Sequence, residues 1–340
     1  MRQHWTARAV IAVLLAVSSV GGCVAEPRIP GGGPLIVTDS PTAPFPITVT
    51  NCGIAVTFAE PPQRVVAIKS STTEMLVALG VGDRLVGVAG LDGPMPDWLA
   101  AAANYPAIEN PMTTGVPGTE AVLALDPDLV FAGWESNLTA NGAGDRSLFA
   151  SLGINTLVPP LACRTGDVDT AVTLGSMSGD GIWGDIMLVG DIFGVPNAAA
   201  LLIEDQQQAI AAITPDTRGL TALWWSSAKD IPYVGAGLGA PQLIMESIGL
   251  TNIAGDIQDT WTSMSWEQII AADPDVIILV DAQWNTAAAK REYLETNPAT
   301  KELTAVREGR FLEVPFPASE AGVRTVSAIT NLAAQLEDIG

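Results

Sequence analysis

The chain has 340 residues, 48% of them hydrophobic, with 37 acidic against 16 basic side chains and a formal charge of −21. That length accommodates two domains of ordinary size, each with its own core. The acidity argues against nucleic acid or an anionic lipid surface as a partner.

At the start, Arg2 and Arg8 precede an apolar run from Ala9 to Val17, and Val20-Gly21-Gly22-Cys23 follows it. Residues 1–23 therefore read as an export signal, too short to cross a membrane as a helix. Val20 to Cys23 resembles a bacterial lipobox, which implies lipidation of Cys23 and cleavage before it; an ordinary signal with an incidental cysteine is the alternative. Several acyl chains on one residue anchor stably where one does not. The only histidine, His4, leaves with the leader. The exported body then has no Ser-His-Asp or Cys-His constellation, no histidine for haem iron and no histidine-rich zinc site. We expect no catalytic residues, no resident metal and no cofactor.

Residues 24–46 are rich in Pro, Gly, Ser and Thr and read as a flexible tether that spans roughly 25–30 Å. From 47 to 172 the pattern is that of an α/β lobe. Ile47–Thr50 and Ala55–Phe58 flank the turn composition Asn51-Cys52-Gly53. Arg64–Ile68 reads as a buried strand, Ser70-Ser71-Thr72-Thr73 sits where a helix needs capping, and Gly80 closes that helix. Further strands are expected at Leu85–Val88, Leu129–Ala132 and Thr156–Val158. Cys52 and Cys163 form an even pair in an exported protein and are expected to oxidise, two buried thiols being the alternative. The loop that a disulfide closes there could contribute up to ~4.7 kcal/mol. Residues 173–214 read as helices interrupted at Gly194-Val195-Pro196, connecting the first lobe to a second over 215–340. That lobe opens with Leu220–Trp225, passes a Gly-rich segment at Val234–Gly239, and ends with a strand at Phe311–Val314 and a helix. The alternation argues parallel sheets with helices on both faces.

Two segments repeat. T-E-A-V-L-A-L-D-P-D-L-V-F surrounds Glu120, and W-E-Q-I-I-A-A-D-P-D-V-I-I surrounds Glu267, 147 positions later. In each, a glutamate opens a short helix, Asp-Pro-Asp breaks it, and a buried-strand pattern follows. Together with R-V-V-A-I-K-S-S-T-T-E-M-L-V-A-L-G-V-G-D-R-L-V-G-V at 64–88, these motifs resemble the substrate-binding proteins that serve ABC importers for ferric siderophores, haem and cobalamin. The resemblance covers about residues 47 to 340. It implies two Rossmann-like lobes joined by one long helix, a ligand cleft between them and limited closure. It also implies a lipid-anchored monomer on the outer face of the cell membrane, docking on ABC permease subunits through Glu120 and Glu267. The helix macrodipole favours a glutamate in a first turn without any such role.

In open α/β sheets ligands lie beyond the carboxyl ends of the strands. The candidates there are Ser70, Ser71, Thr72, Trp134, Trp224, Trp225, Tyr233, Trp261, Trp284, Phe316 and Arg324. Tryptophan offers a flat apolar face and one donor, which suits a planar or macrocyclic ligand. Adjacent Trp224 and Trp225 face opposite sides of a strand, so at least one is expected in the core. Arg324 suits a ligand carboxylate or phosphate, or equally Glu320 four residues earlier. The scarcity of other cleft arginines departs from binders of anionic siderophores. Y-V-G-A-G-L-G-A-P-Q, D-T-W-T-S-M-S-W-E and P-F-P-A-S-E-A-G-V-R are similar to a subgroup presumed to carry a deazaflavin cofactor precursor, an alternative ligand. Alternatives of other classes are a surface sensor or adhesin, and an exported hydrolase using the carboxylates Glu135 and Asp281.

Overall fold

Three sheets organise the chain in the computed structural model, which describes residues 45–100, 104–163 and 179–339. The leader with Cys23, all but the last two residues of the tether, and residues 164–178 lie outside the described residues. A hairpin of β1 (Ile47–Asn51) and β2 (Ile54–Phe58) comes first. Next is a parallel sheet of β3 (Val65–Ile68), β4 (Leu85–Ala89), β5 (Leu129–Ala132) and β6 (Asn155–Leu157), ordered β4-β3-β5-β6. The third sheet contains β7 (Thr221–Ser227), β8 (Tyr233–Gly235), β9 (Thr251–Asn252), β10 (Trp261–Ser263), β11 (Val276–Asp281) and β12 (Phe311–Pro315). Its parallel strands run β9-β7-β11-β12, the order of the first lobe repeated, while β8 and β10 add antiparallel beside the end of β7. Between the sheets run the helices Gly179–Phe193 and Pro196–Ala211.

The repeated motif makes the same turn in both lobes. Glu120 lies in the first turn of helix Thr119–Leu123 and Glu267 in that of Trp266–Ala272. Asp126 and Asp273 then adopt the left-handed conformation, φ 47° and 43°, which aspartate tolerates better than most non-glycine residues. The prolines that follow cannot continue a helix. Asp128 accepts the N–H groups of Gln63 and Arg64 at 2.7 and 3.0 Å, and Asp275 accepts the N–H and hydroxyl of Thr221 at 2.9 and 2.8 Å. Each motif thus fastens its own strand, β5 or β11, to the beginning of the neighbouring strand, β3 or β7.

Both lobes contribute to one apolar cluster. Phe131 and Leu157 of the first sheet, Ile186 and Phe193 of the long helix, and Trp224, Ile278 and Leu312 of the second sheet all belong to it. The opposite face of the second sheet carries Leu223, Trp225, Ile277 and Leu279. Strands covered on both faces are apolar throughout, which explains the lack of alternation in V-I-I-L-V.

The hairpin turns through Cys52 and Gly53 at φ 50° and 77°, a two-residue loop of the kind that matches strand twist. Cys52 is joined to Cys163, with the Cα atoms 5.1 Å apart. Beside that bond, Asn51 exchanges two hydrogen bonds with the Val158 backbone at 2.7 and 3.0 Å, and buried Arg146 donates to Asn51 and Thr156. These contacts hold the hairpin against the end of β6.

Candidate functional site

In each sheet the strand order reverses between the first and third strands, β3 and β5 in one lobe, β7 and β11 in the other. A crevice opens beyond the strand ends at such a point. Both lobes place strained backbone there. Lys69, the first residue after β3, has φ 92° and ψ 154°, and Ala228, the first after β7, has φ 60°. Such conformations cost ~1–3 kcal/mol for residues with a side chain and cluster at ligand-holding positions. Gly133, after β5, is required by close approach: a Cβ there would lie 2.7 Å from Cβ of Lys69 and 2.8 Å from Oγ of Ser71.

The first lobe's crevice is built around Lys69. Its Nζ lies 2.6 Å from an Asp92 oxygen and 3.9 Å from the centroid of the Trp134 ring. That largely dehydrated cation–π contact is worth on the order of 1–2 kcal/mol. Trp134 Nε1 donates to Glu320 Oε2 at 2.8 Å, a bond that crosses to the second lobe.

In the second lobe, Ala228, Lys229, Gln283, Trp284, Asn285 and Ala289 line a cavity of about 530 Å³. Trp284 is 60% exposed and meets the Phe316 ring edge-on at 5.7 Å. Tyr233 and Trp261, on β8 and β10, stack at 5.9 Å with only 16° between their planes. Beneath the Ala228–Lys229 turn, Trp225, Trp266 and Tyr293 form an aromatic cluster. Trp225 Nε1 donates to the carbonyls of Ser227 and Ala228 at 2.9 and 3.0 Å, and Trp266 Nε1 donates to that of Lys229 at 2.7 Å. Lys290 lies behind the same cavity, fully buried, and donates to the carbonyls of Val280 and Asn285. Burial pushes its amine down to about 8, partly opposed by Asp281.

Where the lobes meet, Pro96 and Trp98 from the first and Asp281, Glu313, Arg324 and Asn331 from the second line a space of about 380 Å³. Trp98 Nε1 is buried there without a hydrogen-bond partner among the described residues. Beside it Arg324 grips Glu74 bidentately, Nε and Nη2 each 2.5 Å from a carboxylate oxygen, and also donates to the Pro94 carbonyl at 2.6 Å. Both partners are buried. Burial raises the Glu74 carboxyl above its ordinary value, outweighing the opposing pull of Arg324.

These positions correct several sequence expectations. Trp224 and Trp225 are both fully buried, since both faces of β7 are covered; neither presents a stacking surface, and Trp225 instead supports the turn from below. Arg324 pairs with Glu74 rather than Glu320 or an open crevice, because the chain folds back to bring residues 250 apart into contact. Of the hydroxyl cluster, Ser70 and Thr72 are buried and bonded to Asp92 N–H and the Ile68 carbonyl, while Ser71 stays half-exposed beside Gly133. Trp134, Trp284 and Phe316 lie beyond strand ends, with Phe316 buried edge-on behind Trp284, whereas Tyr233 and Trp261 are the first residues of β8 and β10 rather than residues after a strand. Asp281 accepts the Ala287 N–H at 2.8 Å, tying it to the start of helix Ala287–Thr296. Glu120 and Glu267 are exposed, and Glu267 is held below the usual carboxylate range by its own backbone N–H and the Ser265 hydroxyl.

Lys69, Glu74, Asp92, Trp98, Lys229 and Lys290 were not foreseen. Lys69 and Lys229 had a signal, since each follows a strand end closely. Glu74 had another, as the only charge in the otherwise apolar helix run E-M-L-V-A-L.

Comparison with known proteins agrees with this architecture. A family model described as "Periplasmic binding protein" matches residues 65–318. An uncharacterized ABC transporter substrate-binding lipoprotein, YvrC, of Bacillus subtilis is 26% identical over 339 residues, covering 95% of this chain and 94% of that protein. A cobalamin-binding protein of Halobacterium salinarum is 27% identical over 281 residues, 79% of this chain and 68% of the relative. The crystal structure of an ABC-type Fe3+-hydroxamate transport system from Saccharomonospora viridis superposes with a TM-score of 0.71 at 25% identity, covering 86% of this chain and 99% of the other. The chain belongs to the periplasmic binding protein family.

Proposed function

We propose that this chain is the extracytoplasmic receptor of an ABC importer, anchored through lipid on Cys23, that captures a bulky small molecule and delivers it to a permease. The observation that carries this reading is the meeting of both lobes' strand ends. Trp134 bonds Glu320 and Glu74 bonds Arg324 across the junction, and the exposed Trp284 packs on Phe316, the first residue after β12. The ligand belongs to the ferric siderophore, haem or corrinoid class; the relatives above are named for cobalamin and for a ferric hydroxamate. Trp134, Tyr233, Trp261 and Trp284 hold it by shape and stacking, Phe316 backs Trp284 from the interior, and the exposed Lys229 supplies positive charge. A deazaflavin precursor is the second reading, favoured by the stacked, nearly parallel Tyr233–Trp261 pair, which a fused planar ring system can extend.

Because Trp284 is 60% exposed, Trp284→Ala is expected to change folding stability by no more than ~0.5 kcal/mol. Its loss from the binding wall is expected to cost at least ~2 kcal/mol in affinity, about thirtyfold. Fluorescence titration and urea unfolding of the same variant separate the two effects.

The test of function is transport. Cells lacking this chain are complemented with wild type or with Glu120→Ala/Glu267→Ala, and uptake of labelled cobalamin, haem and ferric hydroxamate is measured. Wild type is expected to restore uptake of one compound, and the double variant to bind it without restoring uptake. Normal uptake by the double variant removes the docking assignment; no difference between complemented and empty cells for any of these compounds removes the ligand class.

A further inference from the structure

Trp284 is the most exposed large apolar side chain among the described residues, at 60%, whereas Lys290, six positions on, has no exposed surface. Each departs from the usual economy of burial: an exposed indole forgoes hydrophobic stabilisation, and a buried ammonium loses its hydration. Their joint occurrence follows from how the chain turns between them. Beyond β11, residues Ala282 to Asn285 make a tight turn closed by the Asn285 N–H on the Ala282 carbonyl at 2.9 Å, with a 3.4 Å return contact. Trp284 rides on this turn. Helix Ala287–Thr296 starts immediately after it, capped by the Thr286 hydroxyl on the Ala289 N–H and by Asp281 on the Ala287 N–H. From the first full turn of that helix, the Lys290 side chain returns beneath the turn. Its ammonium takes one carbonyl before the turn, Val280, and one at the end of it, Asn285.

We propose that Lys290 is a positioning residue: by tying the last part of β11 to the far side of the 282–285 turn, it fixes Trp284 as a rigid wall of the second-lobe cavity. An indole already held in its bound orientation forfeits less conformational freedom when a ligand stacks on it, so affinity rises without a new contact. The inference rests on reading that cavity as part of the ligand site. A Lys290 that only satisfied two buried carbonyls would affect global stability and leave the order of the turn independent of it.

Hydrogen exchange on the full chain separates these roles. In the wild type, the Asn285 amide is expected to exchange at least ~10-fold more slowly than an open coil, although its turn is at the surface. In Lys290→Met the amides of Gln283 to Asn285 are expected to speed up ~10-fold relative to those of Ile277 to Leu279, and Lys290→Arg, which keeps a cation and several donors, is expected to restore protection. With cyanocobalamin and haemin as test ligands, whichever binds the wild type is expected to leave Lys290→Met about tenfold faster. Unchanged exchange in the turn of Lys290→Met overturns the proposal. So does coil-like exchange of Asn285 in the wild type, a measurement that needs no variant to fold. If neither compound binds the wild type, the ligand is neither haem nor a corrinoid, and the exchange data still decide the role of Lys290.

Discussion

Arg324→Met is expected to lower the free energy of unfolding by ~3–5 kcal/mol, because it strands the Glu74 carboxylate in the interior without its counter-charge. The pair is bidentate, both members are buried, and they come from different lobes. Replacing both, as Glu74→Met/Arg324→Met, is expected to recover most of the loss, since two apolar side chains of similar volume need no solvation. Burial already raises the Glu74 carboxyl, so the fold holds its proton more tightly than the unfolded chain does. A raised carboxyl contributes most stability at low pH and loses it as pH climbs from the ordinary carboxylate value through the folded one. The penalty of Arg324→Met is therefore expected to be smaller at pH 5 than at pH 8, where keeping Glu74 neutral costs more. Urea unfolding at both values checks this. A loss below about 1 kcal/mol for the single variant at pH 8 would show that the two groups behave as an exposed pair, and that the lobes do not close on them.

A second large effect is expected at Asp185, on the long helix Gly179–Phe193. Its carboxyl is 7% exposed and accepts the Leu161 N–H at 3.3 Å. Burial pushes it from 3.8 up to about 7, against a smaller pull from that N–H. The folded protein thus keeps this proton over a range where the unfolded chain has released it. Stability from the group is intact below the ordinary value near 3.8 and declines until pH passes about 7. Asp185→Asn keeps an acceptor for Leu161 and removes the titration. It is expected to stabilise the protein by ~2–4 kcal/mol at pH 8 and by almost nothing at pH 4. Denaturant midpoints at the two pH values decide the matter, and an equal gain at both would mean that the carboxyl ionises normally in the fold.

Much of the architecture was legible because its signals are local. Asp-Pro-Asp breaks a helix wherever it occurs, and the same acid at the same offset in two places exposed the duplication before any strand was paired. The strands that follow these motifs are short apolar runs with turn chemistry at each end. By contrast β9, of two residues, is too short to carry a period, and its pairing to β7 depends on the fold around it. The site was legible as positions rather than partners. Counting from strand ends located Trp134, Trp284 and Phe316, yet the same rule offered Trp224 and Trp225, and only the helices packed on each face of β7 decide that both are enclosed. Arg324 shows the limit most clearly: a helical spacing of four suggests Glu320, while Glu74, invisible at a separation of 250, holds the guanidinium and Glu320 accepts from Trp134 instead. For Lys69 the place after a strand is legible, but its strained backbone and its seat on the Trp134 ring depend on the fold around it.

The most direct test of the central claim, a cleft between two like lobes that holds one small molecule by stacking, is native mass spectrometry combined with absorbance on protein purified from its own host. We expect one ligand per chain, with a spectrum that separates iron complexes, corrinoids and deazaflavins, and a strongly reduced occupancy in Trp284→Ala prepared alongside. Equal occupancy in the two proteins, or no bound mass even after incubation with haemin, cyanocobalamin and a ferric hydroxamate, would contradict the account.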